Sequence, residues 1–163
     1  MAGLAAAVGV SRQTVYNEVG SKPELARAMV LAELVRFLDV VERAFDAHPE
    51  DPVAGVRLAA RGVLGLARGN DLLRAVVSAS QGADTELLPL LTTPAGSLLT
   101  VSREVMARRL TAYSAPVTAA EFDIAIDAIV RVVLSHVMQP SGTPAAAAAD
   151  IGWTAGRLLR IET

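Results

Sequence analysis

Cysteine is absent from this sequence of 163 residues, and lysine occurs once, at Lys22. Without cysteine the chain has no disulfide bond, no thiolate metal ligand and no cysteine nucleophile. Long hydrophobic runs are also missing: the most apolar stretch, residues 129–138, contains Arg131 and His136, and is shorter than the roughly 18 apolar residues of a membrane-spanning helix. The first residues lack the basic flank and apolar block of a secretory signal. We therefore expect a cytoplasmic protein.

Aromatic residues and excess charge are scarce as well. Aromatic side chains make up 4% of the chain, and no clear segment alternates apolar with polar residues as a half-exposed strand would. The net charge of -2, from 15 basic and 17 acidic residues, gives no overall attraction to nucleic acid. Apolar residues reach 52%, which is enough for a buried core, and alanine and leucine favour helices. The composition predicts an all-α globular protein.

Capping residues and breakers divide the chain into helices. Ser11 is a predicted N-cap, and Ser21 with Glu24 forms a capping box at the start of a long linking helix that runs to about residue 47. The prolines at 49 and 52 end that helix, so we place a domain boundary near residue 46 and expect domains at 1–46 and 47–163. The other predicted helices cover 2–8, 12–18, 53–68, 71–80, 95–112, 118–138 and 145–161.

The first two helices have the composition of a helix-turn-helix. Small residues at 5–7 let two helices cross closely, and Gly9 supplies the turn. If Val10 and Val15 point inward, polar side chains of the second helix project outward, where some can read base edges and others suit phosphates. The base-reading candidates are Arg12, Gln13 and Asn17, and the phosphate candidates are Thr14, Tyr16 and Lys22. Periodicity alone leaves open an ordinary pair of packed helices with solvated side chains.

Residues 4–25 resemble the DNA-binding signature of the tetracycline-repressor-like (TetR) family. They share its Leu-Ala pair, small residues, Gly-Val-Ser, Thr-Val-Tyr, Gly-Ser-Lys and a leucine three residues later. Residues 131–140 are also similar to part of the penultimate helix of family members. The resemblance implies that Ser11 to Asn17 form the recognition helix, that Tyr16 and Lys22 bind backbone phosphates, and that the remaining chain is an effector-binding, dimerising domain.

The sequence departs from the family pattern in two places. Glu18 and Val19 stand where the family commonly has His or Tyr followed by Phe, and an acid near the phosphate backbone weakens binding. Met1 falls within the family's second helix, so the first helix of the DNA-binding domain is missing from this chain. We expect that the start codon lies upstream of Met1 or that the head has been partly lost.

The body contains candidate surfaces for a partner copy and for a ligand. The helix at 118–138 is apolar on more than one face, and the last helix has a stripe of small residues, so we predict a two-fold dimer. Tight packing within one subunit is the alternative. The predicted interface residues are Ile126, Val130, Val133, Val137, Ala148, Gly152 and Gly156. Arg74, Ser78 and Gln81 share a stripe that either lines a ligand pocket or is the solvated edge of a surface helix.

Enzymatic sites find no support in the sequence. His48 and His136 are far apart, and Ser135 is adjacent to His136 on a helix, so the two side chains do not face each other. We therefore expect no enzyme, no cofactor and no metal site. The resemblance implies a ligand-responsive repressor that binds a pseudo-palindromic operator as a dimer and is released by a small-molecule effector. The alternative is a dimeric helical small-molecule-binding or interaction protein that has lost DNA binding.

Overall fold

The computed structural model describes residues 2–70 and 88–161, and the regular elements of these two ranges are all α-helices. The all-α prediction is confirmed. Within the described ranges, no helix has both the length and the apolarity needed to cross a membrane. In chain order the helices are α1 Ala2–Val8, α2 Arg12–Val19, α3 Lys22–Asp46, α4 Pro52–Arg68, α5 Leu88–Thr111, α6 Ala119–Met138 and α7 Pro144–Leu159.

Side-chain caps start the helices where the sequence predicts them. The Ser11 side chain accepts a hydrogen bond from the Thr14 backbone N–H at the start of α2 (3.0 Å). At the start of α6, Thr118 and Glu121 form a capping box, since each side chain accepts from the backbone N–H of the other. The Asp51 side chain caps the start of α4, as Ser11 caps α2. Pro52 follows at the first helical position, where the backbone N–H has no partner within the helix and its loss costs little.

The start of α5 differs from the prediction. The sequence predicts a helix from 95 to 112, whereas the observed helix begins at Leu88 and runs through Pro94. A proline usually breaks the hydrogen-bond ladder of a helix, and here the backbone stays helical on both sides of it. The predicted helix at 71–80 lies outside the described residues.

The chain divides into two compact units, Met1–Val35 and Arg36–Thr163. Helix α3 contributes to both, and its last turn places Phe45 in the core of the second unit. The functional boundary that we placed near residue 46 remains a prediction. In the first unit, α1 and α2 pack together around Ala5 and Val15, which are both buried.

Within the described ranges, five helices (the end of α3 and α4 to α7) contribute to the core of the second unit. Helix α7 packs against α4 and α6, and α6 packs against α5. Helices α6 and α7 run antiparallel, because Arg160 after the end of α7 pairs with Glu121 at the start of α6 (2.6 Å). The largest fully buried side chains of this core are Phe45, Val56, Leu110, Ile126, Ile129, Ile151 and Leu159.

Glycines let the helices of this unit approach closely. A methyl group added at Gly55 in α4 would meet the Phe45 ring 2.7 Å away, and one added at Gly62 would meet Val40 of α3. On α7, a methyl group at Gly152 would lie 3.0 Å from the Cβ atom of Arg57. These positions of α4 and α7 therefore face neighbouring helices of the same chain.

Acid should weaken the start of α6 through Glu121. Hydrogen bonds from the Thr118 backbone and hydroxyl, with the charge of Arg160, lower the pKa of Glu121 below its ordinary 4.5. Because the pKa of Glu121 is lower in the folded than in the unfolded protein, its ionised carboxylate stabilises the fold at pH values above the ordinary pKa. This stability is lost as the pH falls through the lowered pKa of the folded state. We expect the melting temperature to depend less on pH in Glu121→Gln than in the parent, when both are compared at about pH 7 and about pH 3.5. The control Glu104→Gln, in the middle of α5, should keep the parent's pH dependence; equal curves for all three proteins would contradict the assignment.

Candidate DNA-binding interface

Two glycines set the backbone around α2. Gly9, between α1 and α2, has φ +72°, and Gly20, after α2, has φ +69°. Side chains other than glycine rarely adopt this left-handed conformation. Gly20 is also crowded by the Glu24 carboxylate, which accepts hydrogen bonds from the Ser21 N–H (2.6 Å) and hydroxyl (2.8 Å). The predicted turn and the predicted capping box at the start of α3 are both present.

The exposed face of α2 carries four of the predicted DNA-contacting side chains in two hydrogen-bonded pairs. The Ser11 and Thr14 hydroxyls lie 2.8 Å apart, so both belong to the cap of the helix. Gln13 Nε2 donates to Asn17 Oδ1 at 2.9 Å, one helical turn away. This bond does not use the Gln13 side-chain carbonyl oxygen, which is an acceptor, or the Asn17 side-chain amide nitrogen, which is a donor. Such an ordered pair of one acceptor and one donor group suits the edge of a base.

The other predicted DNA-contacting residues are Arg12, Tyr16 and Lys22. Arg12 and Tyr16 are exposed on α2, as is Glu18, whose carboxylate adds a negative charge to this face. Lys22 starts α3, but its side chain lies outside the described residues. Val15 is buried against α1 as expected.

Val10 does not point inward. It is exposed, although its backbone N–H donates to the Ala5 carbonyl at 3.1 Å and so closes the end of α1. The expectation of two inward-facing valines is therefore wrong for Val10. The turn through Gly9 is held by this backbone bond, and Val15 fills the space between the two helices.

The structure corrects the predicted dimer interface. Five of its residues are buried inside the chain, because α6 and α7 use these faces to pack on each other and on α4. The alternative of packing within one subunit accounts for the small-residue stripe of α7: the helix that approaches it is α4 of the same chain. Val133 and Val137 are partly buried against the same core. The five buried residues are Ile126, Val130, Ala148, Gly152 and Gly156.

A different face of α6 and α7 is apolar and exposed. On α6, exposed Ile124, half-buried Ala128 and exposed Val132 follow one another at i,i+4 spacing, and Ile124 is 66% exposed. On α7, Ala149 and Trp153 have the same spacing, and Trp153 is 62% exposed. We call these five residues the α6–α7 apolar stripe. Helix α6 is apolar on two faces, as its sequence indicates, but the face that we predicted for the partner is the one that lies in the core.

Comparison with known proteins settles the family. The family model for the C-terminal domain of the bacterial tetracyclin repressor matches residues 51–157. The chain belongs to the TetR family of bacterial transcriptional regulators. It is 31% identical over 149 residues to the HTH-type transcriptional regulator AlkX of Mycobacterium tuberculosis. This alignment covers 91% of this chain and 69% of the AlkX protein.

A solved TetR-family structure has the same fold. The crystal structure of the repressor AlkX from a Dietzia species, a protein implicated in the biodegradation of n-alkanes, superposes with a TM-score of 0.67 at 27% identity. The match covers 96% of this chain and 82% of the Dietzia chain. The predicted family, with its helix-turn-helix and helical body, is thus confirmed.

The remaining predictions for this TetR-family regulator concern its ligand site, its metal ligands and enzymatic activity. Arg74, Ser78 and Gln81 lie outside the described residues, so the ligand site remains a prediction. His136 Nδ1 lies 3.1 Å from the Ser141 hydroxyl, and no cluster of three potential metal ligands occurs in the part of the chain that the structure describes. The related AlkX protein of M. tuberculosis is named as a regulator of transcription rather than as an enzyme.

Proposed function

We propose that this TetR-family regulator binds a pseudo-palindromic operator as a homodimer and that a small apolar molecule releases it. The observation that carries the DNA-binding part is the exposed face of α2. This face carries Arg12 and the hydrogen-bonded pair Gln13–Asn17. Helix α2 is eight residues long, and a glycine with positive φ lies on each side of it. An α-helix of this kind fits the major groove, where arginine, glutamine and asparagine read base edges.

The dimer proposal rests on the α6–α7 apolar stripe. Exposed isoleucine, valine and tryptophan side chains lie on two adjacent helices. Burial of this apolar surface against a partner would lower the free energy of the system. A second copy related by a two-fold axis would bring the same stripe to face itself. Dimerisation would also present two copies of α2, which a pseudo-palindromic operator requires.

The effector is proposed to be apolar or weakly polar. The body is a set of helices with an apolar core, and ligand pockets in such proteins are lined by apolar side chains with a few polar groups. The link of the Dietzia relative to n-alkane biodegradation agrees with a ligand derived from an apolar chain. Arg74, Ser78 and Gln81 remain the proposed polar groups that orient it. As a regulator of transcription, the protein would act in the cytoplasm.

Two substitutions separate the proposed roles in DNA binding. Gln13→Ala should mainly reduce discrimination between base pairs, by about 1–3 kcal/mol for the affected pair. Lys22→Ala should weaken binding to all sequences and reduce the slope of log affinity against log salt by about one unit. The measurement is fluorescence anisotropy with a duplex from the region upstream of the gene, against a duplex of scrambled sequence. It is made on the chain of 163 residues and on the chain extended by in-frame upstream codons.

Arg61→Ala provides the charge-matched control. Arg61 is an exposed arginine of α4 and lies in the other compact unit, so its removal should leave both affinity and salt slope unchanged. If the dimeric, folded, extended protein binds neither duplex at low salt, DNA binding is ruled out. The proposal would then be replaced by the alternative, a helical small-molecule-binding protein.

A further inference from the structure

The outward face of α4 carries positive charge only. The charged residues of this helix are Arg57, Arg61 and Arg68, and it contains no acidic residue. On a helix these three positions lie within about 40° of one another, because they are separated by four and seven residues. All three side chains are exposed, and so are Leu58 and Gly65 beside them. We call Arg57, Leu58, Arg61, Gly65 and Arg68 the α4 outer face.

The arginines of this face have no carboxylate partner within residues 2–70 and 88–161. Arg68 instead donates to the Gly142 carbonyl oxygen at 2.5 Å, which is a neutral acceptor. Arginines elsewhere in the second unit, such as Arg43 on α3 and Arg131 on α6, each pair with a carboxylate of their own helix. The α4 outer face therefore presents positive charge that the described part of the chain does not neutralise.

The same face offers an apolar contact and an open stretch of backbone. Leu58 is 38% exposed and lies between Arg57 and Arg61 in the sequence. A methyl group added at Gly65 would meet no atom within 4 Å, so a partner can approach the backbone closely there. From its first arginine to its last, the face extends about 16 Å along the helix axis. A helical segment of about eleven residues has the same length.

We propose that the α4 outer face binds an acidic, partly apolar segment of another protein. Guanidinium groups bind carboxylates through paired, charge-assisted hydrogen bonds, and arginine is enriched among the residues that dominate binding energy in protein interfaces. Leu58 supplies an apolar contact at one end of the face. The inference concerns residues of the second unit alone, so it does not depend on operator binding.

A nucleic acid fits this face less well than an acidic protein segment does. A DNA duplex carries one charge per about 1.7 Å, and proteins that bind it typically neutralise several phosphates. The whole chain has a net charge of -2, so it provides no overall attraction that would bring a duplex to three arginines. A phosphate backbone also has no apolar group to pack against Leu58.

Peptide binding tests the proposal. The probe is a fluorescein-labelled peptide of about twelve residues, rich in glutamate, with leucines four positions apart. The control peptide has glutamine in place of every glutamate. Fluorescence anisotropy at low salt should give a dissociation constant of about 100 μM or lower for the acidic peptide and one about 10-fold higher for the control. Added salt should weaken the binding of the acidic peptide.

The double substitution Arg57→Gln/Arg61→Gln should raise the dissociation constant of the acidic peptide by about 10-fold or more. Glutamine keeps the Cβ and Cγ atoms that lie close to Gly152. Arg68 is left in place because it binds the Gly142 carbonyl. Arg61→Gln alone should raise the dissociation constant by about 3-fold and serves as the test if the double variant does not fold.

Arg43→Gln/Arg131→Gln is the charge-matched control, since both arginines are exposed and lie outside the α4 outer face. It should leave the dissociation constant of the peptide unchanged. Failure of the acidic peptide to bind the parent, equal binding of the two peptides, or equal losses in the two double variants would overturn the proposal. It would also be overturned if Arg57→Gln/Arg61→Gln leaves peptide binding intact but weakens binding to duplex DNA or dissociates the dimer, because the face would then bind a nucleic acid or a second copy.

Discussion

Ile124→Asp is expected to raise the dissociation constant of the dimer by about 100-fold or more. Ile124 is the most exposed of the large side chains in the α6–α7 apolar stripe, so an aspartate there would place an unpaired charge in the proposed contact. Sedimentation velocity across a range of concentrations measures the change. Trp153 is the only tryptophan of the chain and lies on the same stripe, so its emission should shift to longer wavelength as the dimer dissociates.

Leu58→Asp is the control for this dimer test. Leu58 is an exposed leucine of α4, outside the proposed stripe, so the same change there should leave the dissociation constant unaltered. A parent that sediments as a monomer at micromolar concentration, or a dimer indifferent to Ile124→Asp, would refute the proposed interface. Gly152→Leu does not test it, because Gly152 faces Arg57 of the same chain and a larger side chain would disturb that packing first.

Gly55→Ala should destabilise the protein by about 1–2 kcal/mol, although alanine is the better helix former by about 1 kcal/mol. The added methyl group would lie 2.7 Å from Cδ1 of Phe45, and that ring is buried and cannot move aside freely. Overpacking of this kind typically costs about 1–3 kcal/mol. The melting temperature should fall by several degrees in thermal unfolding followed by circular dichroism.

The same helix offers a control of opposite sign. Gly65 is exposed, and an added methyl group would contact nothing within 4 Å. Gly65→Ala should therefore stabilise the protein by up to about 1 kcal/mol, because only the helix propensity changes. If both substitutions raise the melting temperature, the close packing of α4 on Phe45 is wrong.

Local signals could be predicted from the sequence because each depends on a few adjacent residues. The N-cap at Ser11, the capping boxes starting at Ser21 and Thr118, and the turn at Gly9 all need only their own hydrogen bonds and backbone angles. The family signature lies in the same local stretch. The start of α5 could not be predicted in this way, since the helix continues through Pro94 against the local preference.

The orientation of α6 and α7 in the core could not be predicted from local sequence patterns. Isoleucine and valine occur nearly all round α6, so periodicity indicates two apolar faces and does not say which one lies inside. Small residues at 148, 152 and 156 indicate a close helix contact, but whether the approaching helix belongs to the same chain depends on tertiary packing. The ion pairs that Arg108 and Arg109 of α5 make with Glu42 and Asp46 of α3 were missed for a related reason: the paired residues are 63 or more positions apart in sequence, and no local pattern pairs them.

The two left-handed glycines around α2 bear on how operator preference can evolve. All residues of α2 are described: Val15 is buried, Val19 is half-buried, and the ends of the helix are set by Gly9, the Ser11 cap and Gly20. Exchanges at the exposed positions of α2 outside the cap, such as Arg12, Gln13 and Asn17, should alter stability by less than about 0.5 kcal/mol. The set of bases that the protein prefers can therefore drift freely, because new recognition chemistry arises on this helix without a cost to folding.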